Sequence, residues 1–331
     1  MRYRPLGQTG ISVSEIGIGA WQLSGPLTLD GQVGGYPDLG AKYVVDLIRR
    51  IGDLGVNFID TAEQYGNGES ERRIGQALAG RRKDWIISTK FGTFSGAGGE
   101  RVDDASVKRL PISLEGSLRR LGTDYIDIYL CHISPETTEL SAIARFIEDA
   151  KRRGQIRIFG ISTNDLQQIR LLQSHGLCDV VQFAQNMIDP ATEIATLIHE
   201  ARIGGVVRGA FHGGRLSGKY FHAPPHFRPD DIRSLWFDSK TVGQTFARYR
   251  AFERLACPGR SLPQIAVRFL LDRPGTNTVI IGAKSIEEYT EAARAVDLPT
   301  LKPSDLREID HLRRKVTGRR WLSSLKRLLK S

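Results

Sequence analysis

The chain has 331 residues, of which 40% are hydrophobic and 25% are charged, an ordinary composition for a globular protein with a sizeable core. Its net charge is +10, but residues 302–331 hold ten lysines and arginines against three acids and so carry +7. The basic balance belongs mostly to this tail, and it gives no reason to expect a nucleic-acid partner for the main body.

Simple features of the sequence limit the class of protein further. No segment approaches the roughly 18 consecutive apolar residues of a membrane-spanning helix, and no secretory signal is visible at the start. The three cysteines are odd in number and far apart, which indicates a reducing compartment rather than a disulfide framework or a zinc site. We therefore expect a cytoplasmic protein without a metal centre.

A short hairpin is predicted over residues 2–14, and eight short apolar runs follow it along the chain. Their nearly continuous apolar character is typical of strands that are covered on both faces. The runs are Ile16–Ala20, Phe58–Thr61, Trp85–Lys90, Ile126–His132, Ile156–Ser162, Val180–Gln185, Val206–Phe211 and Thr278–Gly282.

Segments with helical spacing separate these runs. Residues 41–55 and 103–122 each end at a glycine, as a helix C-cap favours. Within the second segment, Pro111 predicts a kink or a late start. Residues 138–154 begin at a capping threonine, Thr138, and also end at a glycine.

Eight alternations of strand and helix predict parallel βα units. Such units most simply close into an α/β fold of the (β/α)₈ TIM-barrel type. Residues 214–262 form the main insertion, predicted as a long loop with an extra helix after strand 7. We predict a single barrel domain over residues 1–317, preceded by the hairpin, and a separate tail over residues 318–331.

Polar side chains stand where several strands end, which is where barrels carry their chemistry. Asp60 ends the second run, Tyr65 follows in its loop, and Lys90 and His132 end the third and fourth runs. A tyrosine with its reference pKa near ~10 is a weak acid at neutral pH, and a neighbouring ammonium favours its phenolate. We expect the tyrosine to protonate a carbonyl oxygen as hydride reaches the carbon, with the histidine orienting that oxygen.

The segments NFIDTAEQYGNGESERRIGQAL, WIISTKFG, YLCHIS and RIFGIS resemble the aldo-keto reductase superfamily, (β/α)₈ enzymes that use NAD(P)H. The resemblance runs over residues 2 to about 297 and assigns the family's catalytic tetrad to Asp60, Tyr65, Lys90 and His132. It implies an NADPH-dependent reductase of aldehydes or ketones, with a small-molecule carbonyl substrate.

The resemblance also implies a cofactor site. Ser162 and Gln182 match residues that hold the nicotinamide carboxamide, with Thr163 where the family usually has asparagine, and Arg208 stands where an aromatic ring often stacks on the nicotinamide. A lysine near the adenosine phosphate favours NADP(H) over NAD(H) by charge. Positions implied near the phosphates are Leu216, Ser217, Gly218, Lys219, Gly282, Lys284, Ser285 and Glu288; Trp21 matches a substrate-pocket tryptophan.

Two alternatives stay open. Lys90 could form a Schiff base in an aldolase-like enzyme. Some aldo-keto reductase relatives act as redox-sensing regulatory subunits. The basic tail leaves room for such a cofactor-binding protein with little turnover, as do the departures at Thr163 and at Ala292, which stands where the family often has an asparagine that contacts adenine.

Three further segments are interpreted as follows. Cys131 is expected to pack outward and be inert, because neighbouring strand residues point to opposite faces. Residues 31–40 are glycine-rich without a GxGxxG pattern and are interpreted as a mobile substrate loop. The tail GRRWLSSLKRLLKS is amphipathic and basic, which suits contact with an anionic membrane or a partner, or packing back on the barrel.

Overall fold

A computed structural model describes residues 1–328, and it describes the side chains of residues 1–318. It confirms the predicted barrel: eight parallel strands close on themselves in chain order. They are β3 Ile16–Gly19, β6 Phe58–Asp60, β7 Ile86–Phe91, β10 Ile126–Cys131, β11 Ile156–Ser162, β12 Val180–Ala184, β13 Gly204–Arg208 and β14 Thr278–Ile281. The other strands form three hairpins: β1 Tyr3–Pro5 with β2 Ser12–Ser14, β4 Thr28–Leu29 with β5 Gln32–Val33, and β8 Thr93–Ser95 with β9 Arg101–Asp103.

Helices alternate with the barrel strands, as predicted. The α-helices are α1 Ala41–Asp53, α2 Glu69–Leu78, α3 Arg109–Leu121, α4 Leu140–Arg152, α5 Leu166–Ser174, α6 Thr192–Glu200, α7 Arg233–Trp236, α8 Val242–Ala247, α9 Leu262–Leu271, α10 Ile286–Ala293 and α11 Pro303–Leu328. Short 3₁₀ helices span Ala20–Leu23, Arg82–Asp84, Thr137–Glu139, Arg250–Leu255 and Arg294–Asp297.

One predicted helix start is confirmed and another differs. Helix α3 begins late, at Arg109, which is one of the two outcomes predicted from Pro111. The proline lies in the first turn, where a missing N–H breaks no helical hydrogen bond. The predicted cap Thr138 lies inside a 3₁₀ turn, and α4 starts at Leu140 with Glu139 at the N-cap position and no side-chain cap. The predicted N-cap of α4 was therefore one residue early.

The hairpin β1–β2 closes one end of the barrel. Leu6, Ile11 and Val13 pack with the inward-facing side chains of the strands, among them Phe58 and Ile128. The hairpin pairs with the amino ends of the strands, since Asn57 Oδ1 accepts from the Ser14 N–H at 2.7 Å. The carboxyl-end rim therefore stays open for a site.

The larger core lies between the strands and the helices. Cys131 belongs to this outer layer, as its position next to His132 predicted, and burial raises the pKa of its thiol above the ordinary value. A buried thiol with a raised pKa holds little thiolate at neutral pH, which fits a packing role.

The insertion after β13 holds two short helices, α7 and α8, and a 3₁₀ turn rather than the single extra helix predicted. It has a small core of its own, in which Phe237, Val242 and Phe246 are buried and Tyr220 and Phe227 pack against them. This separate core explains how so long a segment keeps a defined position on the barrel.

Residues 31–40 likewise contain more structure than the predicted loop. The hairpin β4–β5 ends there at Val33, and Tyr36 is only 2% exposed. The hairpin β4–β5 was not predicted, because its glycines and polar residues give no strand periodicity.

Within the described residues no helix is long and apolar enough to cross a membrane. The backbone of α11 continues to Leu328. The side chains of residues 319–331, on which the predicted contact with a membrane or partner depends, lie outside the described part. The division into a barrel domain and a tail at residue 318 stays a prediction.

Candidate active site

Lys90 is the centre of the site at the carboxyl ends of the strands. Its side chain is fully buried, and Nζ donates to Asp60 Oδ2 at 2.7 Å, to the Thr61 carbonyl at 2.8 Å and to Tyr65 Oη at 3.4 Å. Burial opposes the positive charge, but Asp60 and the Tyr65 oxygen more than offset it, so the pKa of Lys90 lies above its ordinary value. The residue is therefore an ammonium held against a phenol.

Asp60 receives two further hydrogen bonds. Ser88 Oγ donates to Oδ1 at 2.9 Å, and Gln182 Nε2 donates to the same oxygen at 2.7 Å. Gln182 Oε1 in turn accepts from Ser162 Oγ at 3.0 Å. The Asp60 carboxylate thus links Lys90 to Gln182 and Ser162, the two residues that the resemblance assigned to the nicotinamide carboxamide.

The loop after β6 brings Tyr65 back over the rim. Glu63 N–H donates to the Lys90 carbonyl at 3.1 Å, which pins the loop to β7. Gly66 has φ +59° and Gly68 has φ +82°, both in the left-handed region. A Cβ on Gly66 would lie 2.3 Å from the Ser24 carbonyl oxygen, so only glycine fits there.

His132 lies beside the phenol, with its ring centroid 5.9 Å from that of Tyr65. The residue is half-buried, but its Nδ1 is closed off from solvent and has no hydrogen-bond partner among the described residues. Burial, then the positive charges of Lys90, Arg208 and Arg101, hold the pKa of His132 well below its ordinary value. It is therefore a neutral imidazole that can hydrogen-bond to a ligand.

A cavity of ≈ 510 Å³ opens beside Asp60 and Tyr65. Most residues that the resemblance assigned to cofactor or substrate line it: Trp21, Gln182, Arg208, Ser217, Lys219, Gly282, Lys284 and Glu288.

Four assigned residues do not line this cavity. Ser162 hydrogen-bonds to the glutamine that does line it. The side chain of Leu216 is fully buried in the outer core, and its assignment near the phosphates stays a prediction. Ser285 caps α10, where its Oγ accepts from the Glu288 N–H at 3.3 Å. Gly218 supplies a turn with φ +74°.

The far end of the cavity is charged. Lys219 Nζ donates to Glu288 Oε1 at 2.7 Å, and Glu288 Oε2 accepts from the Lys284 N–H at 3.0 Å. The bond to Glu288 raises the pKa of Lys219, whereas burial and the nearby Arg233 lower that of Lys284. The guanidinium of Arg208 makes no hydrogen bond or ion pair with the described residues. Lys219 and Lys284 are the residues here whose donors fit the phosphates of a dinucleotide.

Sequence reasoning missed several residues of the site. Gln22 lines the cavity from a 3₁₀ helix, Tyr36 from a loop and Trp236 from α7, and no pattern in the sequence signals them. Ser88 had a signal, because it lies two residues before Lys90 on one strand and so shares its face.

A more open cavity of ≈ 830 Å³ lies elsewhere, lined by Cys257, Arg260 and Arg294 among others. It contains none of the predicted catalytic side chains. Among the described residues no cluster of His, Cys, Asp or Glu could hold a metal ion.

A closed parallel barrel thus carries an aspartate, a lysine and a tyrosine linked by hydrogen bonds at its rim. The family model described as "Aldo/keto reductase family" matches residues 15–314. The chain therefore belongs to the aldo/keto reductase family.

Similar proteins include enzymes and a channel subunit. Aldo-keto reductase YhdN of Bacillus subtilis (strain 168) is 29% identical over 320 residues, covering 94% of this chain and 93% of that protein. A probable voltage-gated potassium channel subunit beta of Oryza sativa subsp. japonica is 29% identical (94% and 96% covered). The NADH-specific methylglyoxal reductase of Escherichia coli (strain K12) is 27% identical (90% and 94% covered).

Solved structures agree with the fold. The holo form of aldo-keto reductase AKR11C1 from Bacillus halodurans superposes with a TM-score of 0.78 at 26% identity, covering 94% of this chain and 96% of that one.

Proposed function

We propose that this protein is an NADPH-dependent reductase of aldehydes or ketones. The observation that carries the proposal is Lys90 Nζ, which lies 2.7 Å from Asp60 Oδ2 and 3.4 Å from Tyr65 Oη beside an open cavity. An ammonium at this place stabilises negative charge on the phenol oxygen as that oxygen gives up its proton.

Each tetrad residue has a separate task. Tyr65 donates its proton to the carbonyl oxygen, Lys90 stabilises the phenolate left behind, and Asp60 keeps the lysine charged and in place. The neutral His132 hydrogen-bonds the same carbonyl oxygen and orients it. A reduced nicotinamide, when bound, supplies the hydride.

Charge supports NADPH over NADH. Lys219 and Lys284 line the end of the cavity that the resemblance assigns to the phosphates, and both carry donors for a 2′-phosphate. Glu288 opposes an added anion, but its ion pair with Lys219 largely neutralises it. Because one similar protein is named as NADH-specific, kcat/KM with NADPH and with NADH should be compared directly, and we expect the NADPH value to be higher.

Replacing Tyr65 with phenylalanine tests the mechanism. Loss of a general acid lowers turnover by about 10²–10⁴-fold, while binding of NADPH, measured by calorimetry, stays unchanged. Tyr3→Phe is the matched control, since it removes a hydroxyl bonded to the Gly55 carbonyl, and Gly55 precedes β6 at the amino end of the barrel. Wild-type turnover by Tyr65→Phe would refute the proposal.

The Schiff-base alternative is disfavoured by the state of Lys90. An amine must be unprotonated to attack a carbonyl, whereas this one has a raised pKa and three acceptors around Nζ. Borohydride trapping of a substrate on Lys90 would show that the lysine forms a Schiff base and would favour the aldolase-like alternative.

A cofactor-binding regulatory subunit is the second candidate. The similarity to a probable potassium channel subunit beta favours it. Tight binding of NADP(H) with negligible turnover across a broad carbonyl panel would support this role over an enzymatic one.

A further inference from the structure

The insertion after β13 is anchored to the loop that follows β5. Arg233 forms a two-point ion pair with Asp231, with Nη2–Oδ2 at 2.5 Å and Nε–Oδ1 at 2.8 Å. Its guanidinium also lies 4.4 Å from the Phe227 ring and 5.6 Å from the Tyr36 ring. The Ile232 N–H donates to the Gly35 carbonyl at 2.8 Å, so α7 is held against this loop.

The insertion's own core supports α7 from the other side. The ring of Phe237, the residue after α7, stacks on Phe246 at a centroid distance of 5.1 Å, and Phe227 lies 5.3 Å from Phe237. Anchored on both sides, α7 has a fixed position over the rim.

Trp236 ends this helix and faces the site. Its ring centroid is 5.8 Å from that of Trp21, which stacks at 5.8 Å and an interplanar angle of 22° on the phenol of Tyr65. Tyr36 meets Trp21 edge-on at 5.3 Å. These rings from separate segments form one aromatic wall that extends from the proton donor outward. Although Trp236 lines the cavity, 42% of it is exposed, which leaves ring surface for a ligand.

The cations nearest the aromatic wall already have partners. Arg233 lines the cavity, but it donates to both oxygens of Asp231 and to the Tyr220 hydroxyl. Lys284 Nζ lies 5.0 Å from the Tyr36 ring and 3.8 Å from Asp231 Oδ2. Arg208 has no ion-pair partner in the described part of the chain, but the resemblance places it against the nicotinamide. A substrate carboxylate on the aromatic side would lose hydration and would have to compete with Asp231 for these cations, whereas a flat apolar group would stack on the rings.

We propose that Trp236 is a specificity residue, and that the substrate is a carbonyl compound with a flat apolar group rather than one with a carboxylate. The proposal rests on the proposed function and deepens it. The insertion serves to hold Trp236 in place beside Trp21.

The test compares 2-naphthaldehyde, glyoxylate and propionaldehyde as substrates with NADPH. The wild type has its highest kcat/KM for 2-naphthaldehyde. Trp236→Ala lowers that value about tenfold, mainly through KM, as the loss of an aromatic pair predicts, and changes propionaldehyde less than about twofold. Leu235→Ala is the matched control, because Leu235 lies on the same helix, is 56% exposed and does not line the cavity.

Higher wild-type kcat/KM for glyoxylate, or equal losses for all three aldehydes in Trp236→Ala, would overturn the inference. Absence of turnover for every carbonyl would instead refute the proposed function. If no carbonyl is turned over, the Kd of 2-naphthaldehyde, measured by calorimetry, still tests the role of Trp236. Trp236→Ala raises this Kd about tenfold if the inference holds. An unchanged Kd would show that the inference is wrong.

Discussion

Replacing Asp60 with asparagine is the sharpest perturbation of the site, because it keeps the shape and removes one charge. Asp60 is 2% exposed and Lys90 is fully buried, so the variant leaves a buried ammonium without its anion. Breaking a buried ion pair in this way costs about 3–5 kcal/mol. The asparagine amide also directs an N–H₂ group at one of the donors that Ser88, Gln182 and Lys90 present.

The charge effect also has a pH dependence with a defined sign. Because the folded-state pKa of Lys90 lies above the ordinary 10.5, its proton stabilises the fold below that pH, and this stability is lost as pH rises through the folded-state value. Asp60→Asn removes the main cause of the raised pKa. The free energy of unfolding should therefore fall less between pH 9 and pH 11 in Asp60→Asn than in the wild type. Urea unfolding at both pH values measures the two falls.

The assay is the free energy of unfolding for Asp60→Asn, Lys90→Met and the double variant. Removing both charges should cost less than the sum of the single losses, because the double variant has no uncompensated charge. Asp53→Asn is the control, since that residue pairs with Arg81 at 3.0 Å on the surface, and its loss should be unmeasurable. A loss below about 1 kcal/mol in Asp60→Asn, or additive single losses, would refute the reasoning.

Two further predictions concern His132 and Gly68. Because the pKa of His132 is lowered in the folded protein, the unfolded chain takes up a proton that the folded protein does not, and stability falls as pH drops below about 6.5. The free energy of unfolding of His132→Gln should fall less between pH 7 and pH 5. An equal fall in the variant and the wild type would contradict a lowered pKa for His132. Gly68→Ala should destabilise more than Gly80→Ala in urea unfolding: both have positive φ, but a Cβ at position 68 lies 2.5 Å from Arg120 Cδ, whereas position 80 has open space. Equal losses would show that the contact with Arg120 relaxes freely.

Local patterns predicted the elements well because each depends on near neighbours in the chain. The strand runs end within a few residues of the observed strands, and the polar residues at their carboxyl ends are brought to one rim by the closure of the barrel. The strand order brings Asp60 near Lys90, because β6 and β7 are adjacent parallel strands and Asp60 lies opposite Ser88, two residues before Lys90. The start of α4 was wrong because a 3₁₀ turn uses the same residue types as a helix start.

Local patterns did not predict which residues of the loop after β5 and of the insertion after β13 reach the cavity. Tyr36, Arg233 and Trp236 reach the cavity only through contacts between segments roughly 200 residues apart, such as the bond from the Ile232 N–H to the Gly35 carbonyl. No periodicity records that kind of contact.

The sequence by itself determined the barrel and the family resemblance, because strand and helix periods and the motifs are features of local spacing. It also placed the four residues that the resemblance assigns to a tetrad at the ends of barrel strands or in the loop after one. Only the tertiary structure decided how close Lys90 Nζ comes to Tyr65 Oη, that Leu216 turns into the core, and that Trp236 joins Trp21 in one wall. The physical reason is that these outcomes depend on packing between distant segments, where each side chain's place is fixed by partners that its own neighbours in the chain do not specify.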